Sequence, residues 1–122
     1  NKEVPFASQY EGNTDTCYEL DLKNTDQNWE VLIAGGLKLS WSPEEYVFRM
    51  EFTDGKLGCG RGLRAREIKA CKDIRIVVDA SCVEVFMNDG KDVFSTRFYP
   101  EKDQYTVKAS GEDLTGSYRY RV

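Results

Sequence analysis

The chain contains no histidine, and that absence removes a large part of enzyme chemistry. Neither a Ser-His-Asp nor a Cys-His catalytic arrangement can be assembled, and a histidine-ligated zinc site is excluded with them. No stretch approaches the roughly 18 consecutive apolar residues of a membrane-spanning helix. The apolar residues alternate with polar ones instead, so no membrane partner is expected. Positive charge is in deficit: 17 Lys and Arg stand against 21 Asp and Glu, a net charge of −4. Without a positive field to neutralise phosphates, nucleic acid is not an expected partner.

Other signatures are missing too. Cys17, Cys59, Cys71 and Cys82 are even in number, which permits two disulfides under three connectivities. They form no C-x-x-C pair, and a chain of 122 residues is long enough to hold a core without staples. Buried free thiols are the expectation. Arg61, Arg64, Arg66 and Lys69 lie beside Gly58-Cys59-Gly60-Arg61-Gly62. That stretch is not G-x-G-x-x-G, and no Lys-Ser/Thr follows as in a phosphate-cradling loop. A solvated loop, or a salt-bridged face toward another domain, is expected there. No D-x-D-x-D-G calcium loop occurs; no metal and no cofactor are expected.

What is present is a period of two. Tyr18, Leu20 and Leu22 share one strand face, with Glu19, Asp21 and Lys23 on the other. Tyr46, Phe48, Met50 and Phe52 repeat the scheme, as do Ile74, Ile76 and Val78, then Val83, Val85 and Met87, then Tyr118, Tyr120 and Val122. Asn88-Asp89-Gly90 carries the Asp-Gly hairpin signal, because a type I′ turn needs positive φ at both central residues. The returning strand is expected from Val93 to Tyr99, ending at Pro100. Similar punctuation stands at Gly35-Gly36, Ser42-Pro43, Asp54-Gly55 and Ser110-Gly111. Helical patterning is nearly absent, and residues 61–69 read as a loop and a strand. The spacing predicts an all-β fold: a two-sheet antiparallel β-sandwich of jelly-roll type, with roughly nine to eleven short strands in one domain spanning residues 1–122.

The passage from Ile74 to Pro100 carries a longer pattern, at Arg75, Asp79, Ser81, Val83, Glu84, Phe86, Asn88, Gly90, Arg97 and Pro100. It resembles the C-terminal signature of glycoside hydrolase family 32, which contains invertases, inulinases, levanases and sucrose-6-phosphate hydrolases. Val77, Cys82 and Met87 depart mildly from it. The resemblance implies a parent enzyme whose N-terminal five-bladed β-propeller holds the catalytic carboxylates, with this sandwich behind it. The propeller's Trp-Met-Asn-Asp-Pro, Arg-Asp-Pro and Glu-Cys segments have no counterpart here. The chain begins at Asn1 rather than Met and is expected to be a piece of that parent. Its expected role is to support the propeller and to contribute to a homodimer, with no catalysis of its own.

Asp79 and Glu84 are the acids of the signature, and they are expected to be structural, paired with Arg75 or Arg97 or with the backbone. Ser81, Phe86, Asn88, Gly90 and Arg97 are expected to serve turn geometry and packing. Trp29 and Trp41 are core or interdomain material, or else flat platforms for sugar rings. With Arg61 and Arg64 they are the candidates for carbohydrate or interdomain contact, and the alternative function is a levan- or inulin-binding module with a fructan ligand. A deep pocket holding two adjacent buried acids would overturn the structural reading.

Overall fold

The computed structural model describes residues 2–120. Among them ten strands form one antiparallel sheet that curls into two layers: β1 (Lys2–Asn13), β2 (Cys17–Lys23), β3 (Trp29–Ile33), β4 (Leu37–Ser42), β5 (Val47–Phe52), β6 (Leu63–Glu67), β7 (Asp73–Asp79), β8 (Cys82–Met87), β9 (Asp92–Arg97) and β10 (Thr106–Tyr120). The order is β6-β5-β4-β3-β10-β2-β7-β8-β9, with β1 along the free side of β10.

The long strand β10 belongs to both layers. Residues 107–110 pair with β3 and residues 115–120 with β2. β1 follows the same bend, with Gln9 opposite Ser110 and Ala7 opposite Thr115; Ser8, at φ 68°, takes up the break in register. Such a corner lets a strand pass from one layer of a sandwich to the other. The expected turn at Ser110-Gly111 is therefore corrected: both residues lie inside β10, and the chain bends there without reversing. The predicted sandwich is otherwise present, though two of its strands are long.

Alternation sets the core. Leu37, Leu39 and Trp41 of β4 meet Leu20 and Leu22 of β2, Ile74, Ile76 and Val78 of β7, and Val83, Val85 and Met87 of β8 in one buried cluster. Each fully buried aliphatic side chain of this kind contributes about 1.5–3 kcal/mol. Phe48 of β5 packs on Phe94 of β9, ring centroids 4.6 Å apart, so the free edges of the two layers approach each other. Tyr46 departs from its expected face: it has φ 57°, precedes β5 and stands 49% exposed. Val122 lies outside the described residues.

Turn chemistry closes the hairpins. The β8–β9 loop has positive φ at Asn88, Asp89 and Gly90, and the Lys91 amide returns to the Asn88 carbonyl at 3.2 Å. Asp89-Gly90 thus fills the centre of the predicted turn. At Asp54-Gly55 the chain makes a one-turn helix, α1 (Gly55–Gly58), capped by the Asp54 carboxylate and anchored by the buried Leu57. A Cβ on Gly58 would come within 2.7 Å of the Phe52 ring, which is why glycine stands there.

Candidate functional site

The signature residues spread along the β7–β8–β9 ribbon and do not gather at a point. Asp79 and Ser81 sit at one end. The Asp79 carboxylate accepts from the Cys17 thiol at 3.2 Å, and the Ser81 carbonyl accepts from the Phe98 amide at 2.9 Å. Asn88 and Gly90 sit at the other end, where Asn88 Nδ2 donates to Ala70 O and Asn88 Oδ1 accepts from Lys72 N, both at 2.8 Å. Asn88 thus staples the loop that precedes β7. Glu84 and Phe86 lie between, on the outer face, with the Arg75 guanidinium 5.7 Å from the Phe86 ring centre. Arg97 stands opposite Cys82.

The expected pairing of Asp79 and Glu84 with Arg75 is corrected, because Arg75 bonds Glu19 at 3.0 Å. Glu19 lies on β2, diagonally across from Arg75, whereas Asp79 is further along Arg75's own strand. In the ladder Glu84 faces Val77, and Asp79 faces Cys82. They are diagonal neighbours, with Cα atoms about 7–8 Å apart, on an open face. A retaining glycosidase needs its two carboxyl groups about 5 Å apart around a sugar ring.

Glu19 and Asp21 are hydrogen-bonded to each other, a pairing that the alternation of β2 did not reveal. Arg119 reaches Glu19 at 3.3 Å, Asp21 at 2.8 Å and Glu3 at 3.5 Å, while Arg75 holds Glu19 from the other side. Burial pushes Asp21 up to about 6, and the hydrogen bond and charge of Glu19 push the same way. Burial also works against a charged Glu19, but bonds from Arg75 and Asp21 outweigh it and hold that carboxyl below the usual range. The two acids share one late proton. They line a broad depression of 720 Å³ on the outer face of the sheet, not a deep pocket, and arginines occupy the oxygens that chemistry would need.

Trp29 and Trp41 are 3% and 2% exposed. The Trp41 indole N–H donates to Ile68 O at 2.9 Å, and Trp29 packs on Phe48, centroids 6.3 Å apart. The reading of these tryptophans as sugar-stacking platforms is corrected: both faces of each ring are spent on the core, since they fall on inward positions of β3 and β4. The cysteines are free. Cys71 is buried, Cys17 and Cys82 are half-buried and Cys59 is exposed, so the expectation of buried thiols fails at Cys59, which ends α1 in the left-handed region at φ 49°.

Between the free edges β6 and β9 lies a cleft of 460 Å³ lined by Arg61, Arg64, Arg97, Ser95, Met50 and Phe52 among others. Arg64 and Arg66 share the inward face of β6 with Met50 and Phe48 of the neighbouring strand. Arg66 pairs with Asp92 and lies 4.6 Å from the Phe94 ring centre, and Arg64 donates to Ser95 O. Arg61 donates to Gly58 O at 3.2 Å and rests over Tyr99. The basic cluster is thus a seam between the two layers, more than the solvated loop expected of it.

Comparison with known proteins bears on the whole fold. The family described as Glycosyl hydrolases family 32 C terminal matches residues 36–119. A sucrose-6-phosphate hydrolase of Bacillus subtilis (strain 168) is 29% identical over 89 residues, covering 71% of this chain and 18% of that protein. An exo-inulinase from Aspergillus awamori superposes with TM-score 0.75 at 12% identity, over 98% of this chain and 29% of its own. A mutant family 32 β-fructofuranosidase from Bombyx mori, in complex with sucrose, superposes with TM-score 0.75 at 26% identity, over 97% of this chain and 25% of its own. The chain therefore spans less than a third of the length of these relatives.

Proposed function

This chain belongs to the C-terminal family of glycoside hydrolase family 32, and from that premise we propose that it is a non-catalytic module packed against the catalytic domain of a β-fructoside-cleaving hydrolase. One observation carries the reading: the chain aligns with 18% of its curated relative, and its own acids are committed elsewhere. Asp79 accepts a hydrogen bond from a thiol, Glu19 and Asp21 are clamped by Arg75 and Arg119, and Glu84 lies between Val77 and Ser95 on the outer face of the sheet. A module of this kind supplies a rigid two-layer body to a partner domain that holds nucleophile and acid.

The test is direct. The chain, incubated with sucrose, inulin and levan, is expected to release no fructose above buffer. Turnover that disappears in Glu19→Gln, Asp21→Asn or Glu84→Gln would overturn the non-catalytic role.

A further inference from the structure

Arginine is partnered unevenly in this chain. Arg49, Arg66, Arg75 and Arg119 each sit in an ion pair. The other arginines among the described residues are Arg61, Arg64 and Arg97. None of these pairs with a described carboxylate, and all of them line the single cleft between β6 and β9. No carboxylate lines that cleft, although the chain carries 21 acids. Arg66, two residues from Arg64 on the same strand, does find Asp92, so the shortage of counter-charge is local to the cleft. Gathering unpaired guanidinium groups is unfavourable unless an anion joins them.

Backbone contacts hold two of these side chains and leave much of each guanidinium unspent. Arg64 reaches Ser95 O and Arg61 reaches Gly58 O, each through one nitrogen of a five-donor fork. A planar guanidinium fork matches the oxygens of phosphate, which arginine recognises more specifically than a point charge does. A cleft of 460 Å³ falls within the range of small-molecule sites, about 300–1,000 Å³, and exceeds what bare phosphate would fill. Met50 and Phe52 line the cleft beside the arginines and supply apolar surface, and Ser95 and Thr96 line it as well. We propose that the cleft at the β6–β9 seam binds the phosphate monoester of a small polyol, with Arg61, Arg64 and Arg97 holding the phosphate.

The experiment is a calorimetric titration of the chain with fructose 6-phosphate, inorganic phosphate and fructose. Saturable binding is expected for fructose 6-phosphate, weaker binding for inorganic phosphate, and none for fructose. Arg61→Gln and Arg97→Gln should each weaken fructose 6-phosphate by about tenfold, the usual worth of one charge-assisted bond. Both should melt as the parent chain does when no ligand is present. Arg49→Gln, which removes an arginine paired elsewhere, should leave the affinity unchanged. The proposal is overturned if neither phosphate compound binds saturably, if fructose binds as tightly as its phosphate, or if both cleft variants retain the parent affinity. Because it needs no catalytic domain, its failure would leave the proposed function standing.

Discussion

Replacing Asp21 by asparagine should make the protein more stable at neutral pH. Asp21 ionises near 6 in the folded chain against an ordinary 3.8. Its stabilising contribution is thus fully present below pH 3.8, where it is protonated in both states, and is lost as pH rises through about 6. At pH 7.5 the folded state bears a charge it holds poorly, at a cost of about 3 kcal/mol from the displacement of that pKa. Asparagine keeps the shape and an oxygen for Arg119 while removing the charge beside Glu19. Weakening the 2.8 Å bond from Arg119, whose side chain is 42% exposed, returns about 1 kcal/mol. The net expectation is a gain of about 2 kcal/mol, or about 6–10 °C in Tm for a domain of this size. The gain should shrink toward zero by pH 4, where Asp21 is protonated in the folded parent chain. Thermal unfolding followed by circular dichroism at pH 4.0 and pH 7.5 measures both quantities. A variant that melts below the parent chain at pH 7.5, or an offset independent of pH, would show that the carboxylates do not share a proton.

Two further outcomes follow from packing. Gly116 of β10 lies between β1 and β2, and a Cβ there would overlap Asp21 O and approach Phe6 Cζ to 2.9 Å; paired strands on both sides prevent relief. Gly116→Ala should therefore cost about 3 kcal/mol in urea unfolding, and a loss under about 1 kcal/mol would mean that the corner yields. The thiols should react in sequence, because Cys59 is exposed, whereas Cys71 is buried, bonded to Thr25 at 3.4 Å and pushed up to about 11 by burial. Labelling at pH 8 with an aromatic disulfide should modify Cys59 at once and Cys71 only at the rate of global unfolding, and early modification of Cys71 in the folded protein contradicts that core.

The alternation of β2, β7 and β8 was enough to identify their buried faces, because a period of two is a local property of the chain. The turn at Asp89-Gly90 was legible for the same reason. Tyr46 misled because it continues the apolar period one step past the point where a positive φ breaks the strand. Ser110-Gly111 misled because a bend inside a long strand uses the same residues as a reversal. The coupling of Glu19 with Asp21 was out of reach, since it depends on Arg119 arriving from the far end of the chain. So was the arginine cleft, which exists only where the folded layers bring Arg61, Arg64 and Arg97 to line one hollow. Trp29 and Trp41 sat on inward positions all along, but sequence alone does not say which face of a lone aromatic is covered.

The pairing of β1 with β10 has a consequence for how the protein comes into being. These are the first and last strands among the described residues, yet both layers are built outward from them. Neither layer can complete its sheet until β10 has been made and has paired with β1. Closure of so long a loop slows assembly, and a nascent chain held short of Thr106 would expose the flanks of β2 and β3 to any passing strand edge.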